Sequence, residues 1–256
     1  MVVRTRGRGA DVVLFHGGMC CGKHWIRNVG PLSEHFTVHA LDHPSYGASA
    51  AVPRETTGPE YLDLVHRLFG EMFPGGAPLR FAGFSFGGAI AANLARRLGE
   101  RVTHLALVSP AGFPPRPYAN RPTRSYREAG DDEGKFREIC RHNLLVNMLS
   151  RPESITEETL DIQAYCVRHT RFNSRKVSGG GTLFDDLAHA KCRVRLLWGE
   201  KDDSAFRPAD LMIGQIRAVL PDLDLHRISA AGHWSAYENA PEVNRRLLEF
   251  FATLSP

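Results

Sequence analysis

The pentapeptide GFSFG at residues 83–87 lies between an apolar run, LRFA at 79–82, and an alanine-rich run, GAIAANLA at 88–95. This order predicts a strand, a tight turn with Ser85 at its tip, and a helix. The glycines on either side of the turn leave space that bulkier residues would fill. The first turn of a helix also carries unpaired N–H groups and the positive end of the helix dipole. The stretch therefore predicts the position of a nucleophilic serine.

A serine nucleophile needs a histidine to accept its proton and a carboxylate to orient that histidine, and the chain downstream supplies both. Residues 194–198 (VRLLW) predict a buried strand that leads to Asp202 and its neighbour Asp203. Residues 223–228 (LDLHRI) alternate like another strand and lead to His233. Each candidate therefore follows the end of a predicted strand.

The order Ser, Asp, His, with each residue beyond a predicted strand, resembles the α/β-hydrolase family. Two upstream segments extend the resemblance over most of the chain. The run VVLFHGGM at 12–19 is similar to the family's strand and oxyanion loop, and DHPSYGAS at 42–49 is similar to its D-x-P-G-x-G-x-S turn. Ser45 stands where that turn usually has glycine.

The resemblance implies an α/β-hydrolase fold, in which helices flank a mostly parallel central sheet and a helical cap is inserted. It implies that Ser85 is the nucleophile, His233 the base and Asp202 the acid that orients the base. The spacing Gly199-x-x-Asp202 matches the family and favours Asp202 over Asp203.

Acyl transfer places negative charge on the carbonyl oxygen, so two N–H groups must already point at that position. The resemblance implies that these N–H groups belong to Phe86, which follows the nucleophile, and to Gly18 in the histidine-glycine loop. Met19 is the alternative to Gly18. We expect the His16 side chain to brace this loop.

An insertion separates the strand predicted at 104–108 from the one near residue 193 by about 80 residues, far more than a simple connection needs. It opens with GFPPRP at 112–117, which cannot form a regular helix. Helical patterns follow at 132–149, 156–169 and 181–189. The insertion resembles the family's cap, which excludes water and selects substrates. The implied division is a core at 1–111 and 186–256 and a cap at 112–185; a purely structural excursion is the alternative.

Two hydrolytic reactions fit this resemblance. The segment at 148–158 and the Gly-His-Trp run around His233 resemble the meta-cleavage-product hydrolases, which cleave a carbon–carbon bond in ring-opened aromatic catabolites. Those substrates carry a carboxylate, for which Arg171 and Arg175 are candidate partners, and Trp234 is either a wall beside the histidine or a core residue. The GFSFG and GGMCC runs depart from that subgroup, so hydrolysis of small, fairly apolar carboxylic esters stays open as the alternative.

Other functions on this fold are also compatible with the motifs. A cofactor-free haloperoxidase or an acyltransferase uses the same triad, and a non-catalytic receptor binds a small molecule in the same pocket. Haloalkane dehalogenases and epoxide hydrolases carry aspartate at the tip of the turn, so Ser85 argues against both.

Composition favours one compact enzyme with a small-molecule substrate. The 256 residues are 43% hydrophobic and carry a formal charge of +4, without the basic and aromatic stretches typical of nucleic-acid binding. No signal peptide and no run of about 18 apolar residues is evident, so we expect a cytoplasmic protein without membrane contact. Five cysteines without a C-x-x-C pair, and the lack of H-E-x-x-H, predict reduced thiols and neither metal nor cofactor. Homodimerisation is left open.

Overall fold

A single sheet forms the centre of the fold. The computed structural model describes residues 1–114, 122–203 and 207–253. Strands within these ranges are β1 (Val2–Arg6), β2 (Asp11–Phe15), β3 (Thr37–Asp42), β4 (Leu79–Phe84), β5 (Val102–Val108), β6 (Arg193–Gly199) and β7 (Asp224–Ile228). They pair in the order β1-β3-β2-β4-β5-β6-β7. β1 is antiparallel to β3 and the other neighbours are parallel, which confirms the predicted mostly parallel sheet.

Helices fill most connections between the strands. In the described ranges they are α1 (Ile26–Ser33), α2 (Gly58–Met72), α3 (Phe86–Leu98), α4 (Glu133–Asn147), α5 (Glu157–Arg168), α6 (Arg175–Ser178), α7 (Leu183–Ala188), α8 (Ala209–Val219), α9 (Ser235–Glu238) and α10 (Ala240–Phe251). Capping side chains set the starts of some of them: Thr57 and Glu60 form a reciprocal capping box before α2, and Asp132 accepts the N–H of Lys135 in α4. Of these helices, none combines the length and apolar content that a bilayer span requires.

Each face of the sheet has its own buried layer. In β2, Val12 and Leu14 belong to a cluster with residues of α1 and α10, while Val13 and Phe15 belong to a cluster with residues of α2, α3 and α8. This alternation is the two-residue period of a strand. Because both of its faces are covered, β2 is a nearly continuous apolar run, DVVLF. Each such buried side chain contributes about 1.5–3 kcal/mol relative to an exposed one.

The carboxyl ends of β2, β4, β6 and β7 meet at one edge of the sheet because these strands are parallel. The segments that follow these four strands carry Gly18, Ser85, Asp202 and His233. Ligand and catalytic sites of open parallel sheets lie at this edge. The fold therefore brings four segments that are distant in sequence to one place.

The segment between β5 and β6, here called the insertion, contains α4, α5, α6 and α7. α4, α5 and α7 lie within the helical patterns read from the sequence. α4 packs with α5, whereas α6 contacts α2 and α3, and α7 contacts α3 and α8. The predicted boundary at residue 185 thus falls inside a helix that packs on core helices, and the division into core and cap stays a prediction. Of the proline-rich run, residues 115–117 lie outside the described residues.

Candidate active site

Ser85 lies between β4 and α3 in a backbone conformation that few residues adopt. Its φ is +50° and its ψ is −116°, values that cost a residue with a Cβ about 1–3 kcal/mol. Three hydrogen bonds fix this conformation: Ser85 donates its N–H to Val108 O at 3.0 Å, and its carbonyl accepts from Gly88 N at 2.9 Å and Ala111 N at 2.8 Å. The strained turn predicted around Ser85 is therefore held from both of its sides.

The glycines beside Ser85 are required by close backbone contacts. A Cβ on Gly87 would lie 2.3 Å from Phe15 O and 2.5 Å from His16 O, and a Cβ on Gly83 would lie 2.6 Å from Gly87 O. The start of α3 thus rests directly on the end of β2. This contact places the loop after β2 beside the serine.

Asp202 and His233 form a buried hydrogen bond. Asp202 Oδ2 accepts from His233 Nδ1 at 2.8 Å, and the two residues are 3% and 6% exposed. The His233 ring lies 4.9 Å from the ring of Phe84, the residue before Ser85. With its Nδ1 proton held by the carboxylate, the imidazole keeps Nε2 as its basic nitrogen. The structure thus brings together the predicted acid and base next to the serine turn.

The neighbouring carboxylate, Asp203, has a different role. Its Oδ1 accepts the N–H of Ala209 at 2.9 Å, at the start of α8. Asp203 is exposed, whereas Asp202 is buried. Of the two aspartates that the sequence offered, Asp202 is the one that contacts His233.

An arginine that the sequence did not single out contacts the same carboxylate. Arg207 donates from Nη1 to Asp202 Oδ1 and from Nη2 to Asn147 Oδ1 at 3.2 Å, and it is 7% exposed. Burial raises the pKa of Asp202, but the charges of His233 and Arg207 and their hydrogen bonds lower it well below its usual range. Asp202 is thus held as an ionised carboxylate between two partners.

The loop after β2 is braced by His16. Its Nε2 accepts the N–H of His43 at 3.0 Å, so Nδ1 carries the proton and donates to Gly17 O at 2.7 Å. Burial lowers the pKa of His16 to about 4, so the ring is neutral at physiological pH. A Cβ built on Gly17 would lie 3.3 Å from Ser85 Cβ, so this loop passes directly beside the serine.

The predicted oxyanion donors lie around this contact. A Cβ on Gly18 would lie 2.5 Å from Ser174 Oγ, which places a hydroxyl of the insertion over the loop. Met19 has a φ of +52° and is 38% exposed. Phe86 is the first residue of α3, where N–H groups precede the helical hydrogen-bond ladder. Their role in binding an oxyanion stays a prediction.

The structure of the turn after β3 explains how Ser45 can stand where the family's turn usually has glycine. Ser45 has a φ of +68°, in the left-handed region where glycine has no steric penalty. Its hydroxyl accepts the N–H of Val52 at 2.7 Å, and this bond helps hold the turn without glycine. In the same turn Asp42 accepts from Gly22 N and Ala48 N; burial raises its pKa, but these bonds lower it overall.

The predicted substrate-binding residues lie in different surroundings. Trp234 is fully buried, donates from Nε1 to His24 O at 3.0 Å, and stacks on the rings of His24 and Tyr237 at 4.1 and 4.4 Å. Arg171 donates from Nη2 to Ser49 O at 2.6 Å, and Arg175 is an exposed residue at the start of α6. Trp234 therefore packs in the core, and substrate contacts of both arginines stay predictions.

A cavity of about 390 Å³ lies beside Asp202 and His233. The end of α4 and the residues after it, together with Lys201 and Arg207, line it. A larger groove of about 760 Å³ lies between α1 and α10, and its lining does not include the serine, aspartate or histidine described above. Across the described residues no group of three or more His, Cys, Asp or Glu side chains is placed to hold a metal ion.

The comparison with protein families decides the classification. The profile described as "Alpha/beta hydrolase family" matches residues 12–246, which include all four segments at the carboxyl edge of the sheet. The chain belongs to the α/β-hydrolase family. This confirms the family, the fold class and the prediction of a hydrolase made from the motifs.

Two relatives of this α/β hydrolase and one solved structure are named as hydrolases with different substrates. A pimeloyl-[acyl-carrier protein] methyl ester esterase of Chromobacterium violaceum is 30% identical and aligns over 99% of this chain and 98% of its own length. A 2-hydroxy-6-oxononadienedioate/2-hydroxy-6-oxononatrienedioate hydrolase of Pseudomonas sp is 26% identical and aligns over 98% of this chain and 91% of its own length. The solved structure of a thermophilic esterase from Thermogutta terrifontis superposes with a TM-score of 0.76 at 21% identity, covering 98% of this chain and 92% of that one.

Proposed function

We propose that the protein hydrolyses small carboxylic esters by covalent catalysis at Ser85. The observation that carries this proposal is the buried hydrogen bond between Asp202 and His233 beside the strained serine turn. Pairing of an exposed aspartate and histidine would add little stability. A buried pair, by contrast, fixes the tautomer and the direction of the imidazole. The methyl ester esterase that matches nearly the whole chain supports ester hydrolysis.

The reaction has two stages in this proposal. His233 Nε2 accepts the Ser85 hydroxyl proton as the oxygen attacks the carbonyl carbon, and the ionised Asp202 stabilises the imidazolium that forms. N–H groups of Phe86 and of Gly18, with Met19 as the alternative to Gly18, stabilise the oxyanion. His233 then protonates the leaving alcohol. In the second stage His233 accepts a proton from water as the water attacks the acyl-enzyme, and it returns this proton to Ser85 as the carboxylic acid leaves. No cofactor takes part.

The positions of the two arginines predicted to bind a substrate carboxylate favour ester hydrolysis over carbon–carbon bond hydrolysis. A ring-opened dienoate carries a carboxylate that needs a cation in the site. Arg171 is bonded to the carbonyl of Ser49, and Arg175 is exposed at the start of α6. Arg151, Lys201 and Arg207 line the cavity beside His233, so the substrate comparison described below decides between the two reactions.

We also propose that the insertion closes the site as a cap. Ser174 lies over Gly18, and the end of α4 borders the cavity beside His233. Both contacts support a position of the insertion above the carboxyl edge of the sheet, where a cover would exclude water and limit substrate size.

A substitution with a matched control tests the proposal. Ser85→Ala is expected to abolish turnover of p-nitrophenyl esters and labelling by a fluorophosphonate. Ser109→Ala is the control, because Ser109 also has a positive φ of 41° and follows β5 at the same edge of the sheet. It is expected to keep both activities. Retained ester turnover in Ser85→Ala would remove the proposal.

A substrate comparison separates the reactions. The wild-type protein is given a panel of p-nitrophenyl esters of increasing acyl length and a ring-cleavage dienoate under the same conditions. Faster turnover of the short esters supports the proposal, and faster turnover of the dienoate assigns carbon–carbon bond hydrolysis instead. Labelling of Ser85 without turnover of any substrate would leave an acyltransferase or a receptor as the better description.

A further inference from the structure

A buried carboxylate joins the loop of His233 to the insertion. Glu238 is the last residue of α9, and its side chain is fully buried. It accepts the N–H of Gly232, the residue before His233, at 2.7 Å. On its other side it accepts the N–H groups of Ser150 at 2.9 Å and Arg151 at 3.0 Å. One side chain thus bonds two loops that are far apart in sequence.

The second loop, residues 148–154, is here called the anchor segment. Hydroxyl groups of Ser150 and Ser154 also donate to Glu238, at 3.1 and 3.0 Å. Trp234, the residue after His233, donates its N–H to Met148 O at 2.7 Å. Hydrogen bonds to an ionised acceptor are about twice as strong as neutral ones. The residues on both sides of His233 are therefore bonded to the anchor segment, directly or through Glu238.

The close approach of the two loops depends on Gly232. A Cβ at this position would lie 2.9 Å from Ser150 N and 3.1 Å from Met148 O. Any side chain there would push the anchor segment away from the histidine loop. Glycine and the buried carboxylate thus hold the two backbones against each other.

We propose that Glu238 is a positioning residue for His233. It does not contact the serine or the substrate carbonyl in the proposed mechanism. It holds the Gly232 backbone against the anchor segment, so that the imidazole keeps its hydrogen bond to Asp202 while Nε2 points to Ser85. This inference rests on the proposed serine mechanism and adds to it the group that fixes the base.

Glu238→Gln is the informative substitution, because it keeps the shape of the side chain. An amide retains one acceptor oxygen, but its NH₂ group faces N–H donors that need an acceptor. At least one of the N–H groups of Gly232, Ser150 and Arg151 then loses its partner. Displacement of a catalytic group by about 1 Å costs about 100-fold in rate.

Glu242→Gln is the matched control. Glu242 lies in α10 and accepts the N–H and hydroxyl of Ser229, at the other end of the same loop, without contacting the anchor segment among the described residues. In Glu238→Gln we expect kcat for a p-nitrophenyl ester and the fluorophosphonate labelling rate to fall about 10- to 100-fold, with KM changed less than about threefold. We expect Glu242→Gln to match the wild type in all three.

A spectroscopic measurement separates positioning from general destabilisation. The Nδ1 proton of His233, held by Asp202, gives a far-downfield proton resonance. We expect it to shift or broaden in Glu238→Gln and to persist in Glu242→Gln. If either the resonance or the rates per folded molecule in Glu238→Gln equal those of the wild type, the inference is overturned. Should that variant not fold, Glu238→Asp keeps the charge on a shorter side chain, and the same readouts apply.

The proposed function and this inference fail in different ways. A wild-type protein that neither labels at Ser85 nor hydrolyses esters contradicts the proposed function. The resonance of His233 needs no substrate, so an unchanged signal in the Glu238 variant contradicts the positioning role alone.

Discussion

Replacing Arg207 by methionine tests the electrostatics of the hydrogen-bonded pair Asp202 and His233. Methionine keeps most of the side-chain length but removes the cation and the N–H groups that contact Asp202 and Asn147. Removing one partner of a buried ion pair costs about 3–5 kcal/mol of stability, and the lower figure applies because Asp202 keeps His233. We expect a fall of about 3 kcal/mol in the free energy of unfolding.

The same substitution changes the pH dependence in a predictable direction. The Arg207 cation repels the imidazolium form of His233, and at about 7 Å with an effective dielectric constant of about 20 this repulsion is about 2 kcal/mol. Without it the imidazolium is more stable, so the base stays protonated to higher pH. We expect the acid limb of kcat/KM to move to higher pH.

We also expect Arg207→Met to change how the free energy of unfolding depends on pH in the acid range. The pKa of Asp202 lies below its unfolded value, so the ionised carboxylate stabilises the fold above about pH 4, and that contribution is lost as pH falls toward the folded pKa. Loss of Arg207 raises this pKa, because its charge and hydrogen bond lower it in the native protein. The acid-unfolding midpoint of the variant should therefore move to higher pH.

The assay follows p-nitrophenyl acetate hydrolysis at the isosbestic wavelength of p-nitrophenol across the pH range, with urea unfolding in parallel. Lys201→Met is the control, because Lys201 is an exposed cation that lines the same cavity. Arg151 and Asp203 also face this cavity and stay unchanged in both variants. An acid limb in Arg207→Met that coincides with those of the wild type and Lys201→Met would refute the reasoning.

Three further outcomes follow from local geometry. Gly87→Ala forces a Cβ to 2.3 Å from Phe15 O, so we expect a loss of more than about 3 kcal/mol in urea unfolding; a near-native midpoint contradicts the contact. Ala230→Gly relieves a φ of +49° at an exposed position and should raise Tm by about 2–4 °C in calorimetry; a lower Tm contradicts the strain. Ellman's reagent should titrate all five thiols in denaturant, but in the native protein it should react only slowly with Cys192, because burial raises the pKa of that thiol to about 12 and the other four cysteines are buried; rapid reaction of any other thiol contradicts that burial.

Local sequence patterns predicted those candidate site residues whose strand, turn or helix is formed by adjacent residues in the chain. Ser85 was identifiable because the strand, the two glycines and the helix all lie within one short stretch. Asp202 and His233 were identifiable because each follows a strand with its own apolar pattern. Parallel pairing then determines that these strand ends share an edge, so the order of motifs was enough to predict that the three segments meet there.

Contacts across the fold left no signal in the sequence. Glu238 reads as an acidic residue at the entry of a helix, which is usually solvated, yet its carboxylate is buried among donors from the anchor segment. Arg207 is one of many scattered arginines, and its contact with Asp202 depends on how the loop after β6 turns back. Trp234 was open between a pocket wall and the core, and its stacking on His24 was decided by packing between distant segments.

The position of Ser174 separates substrate selection from alignment of the base in the proposed enzyme. Its hydroxyl reaches the loop at Gly18 from the segment before α6, whereas the proposed positioning of His233 depends on residues 148–154 in another part of the insertion. We therefore expect substitution at position 174 to alter which acyl groups are accepted while the imidazole keeps its orientation. A saturation library at this codon would then sample substrate range separately from the base.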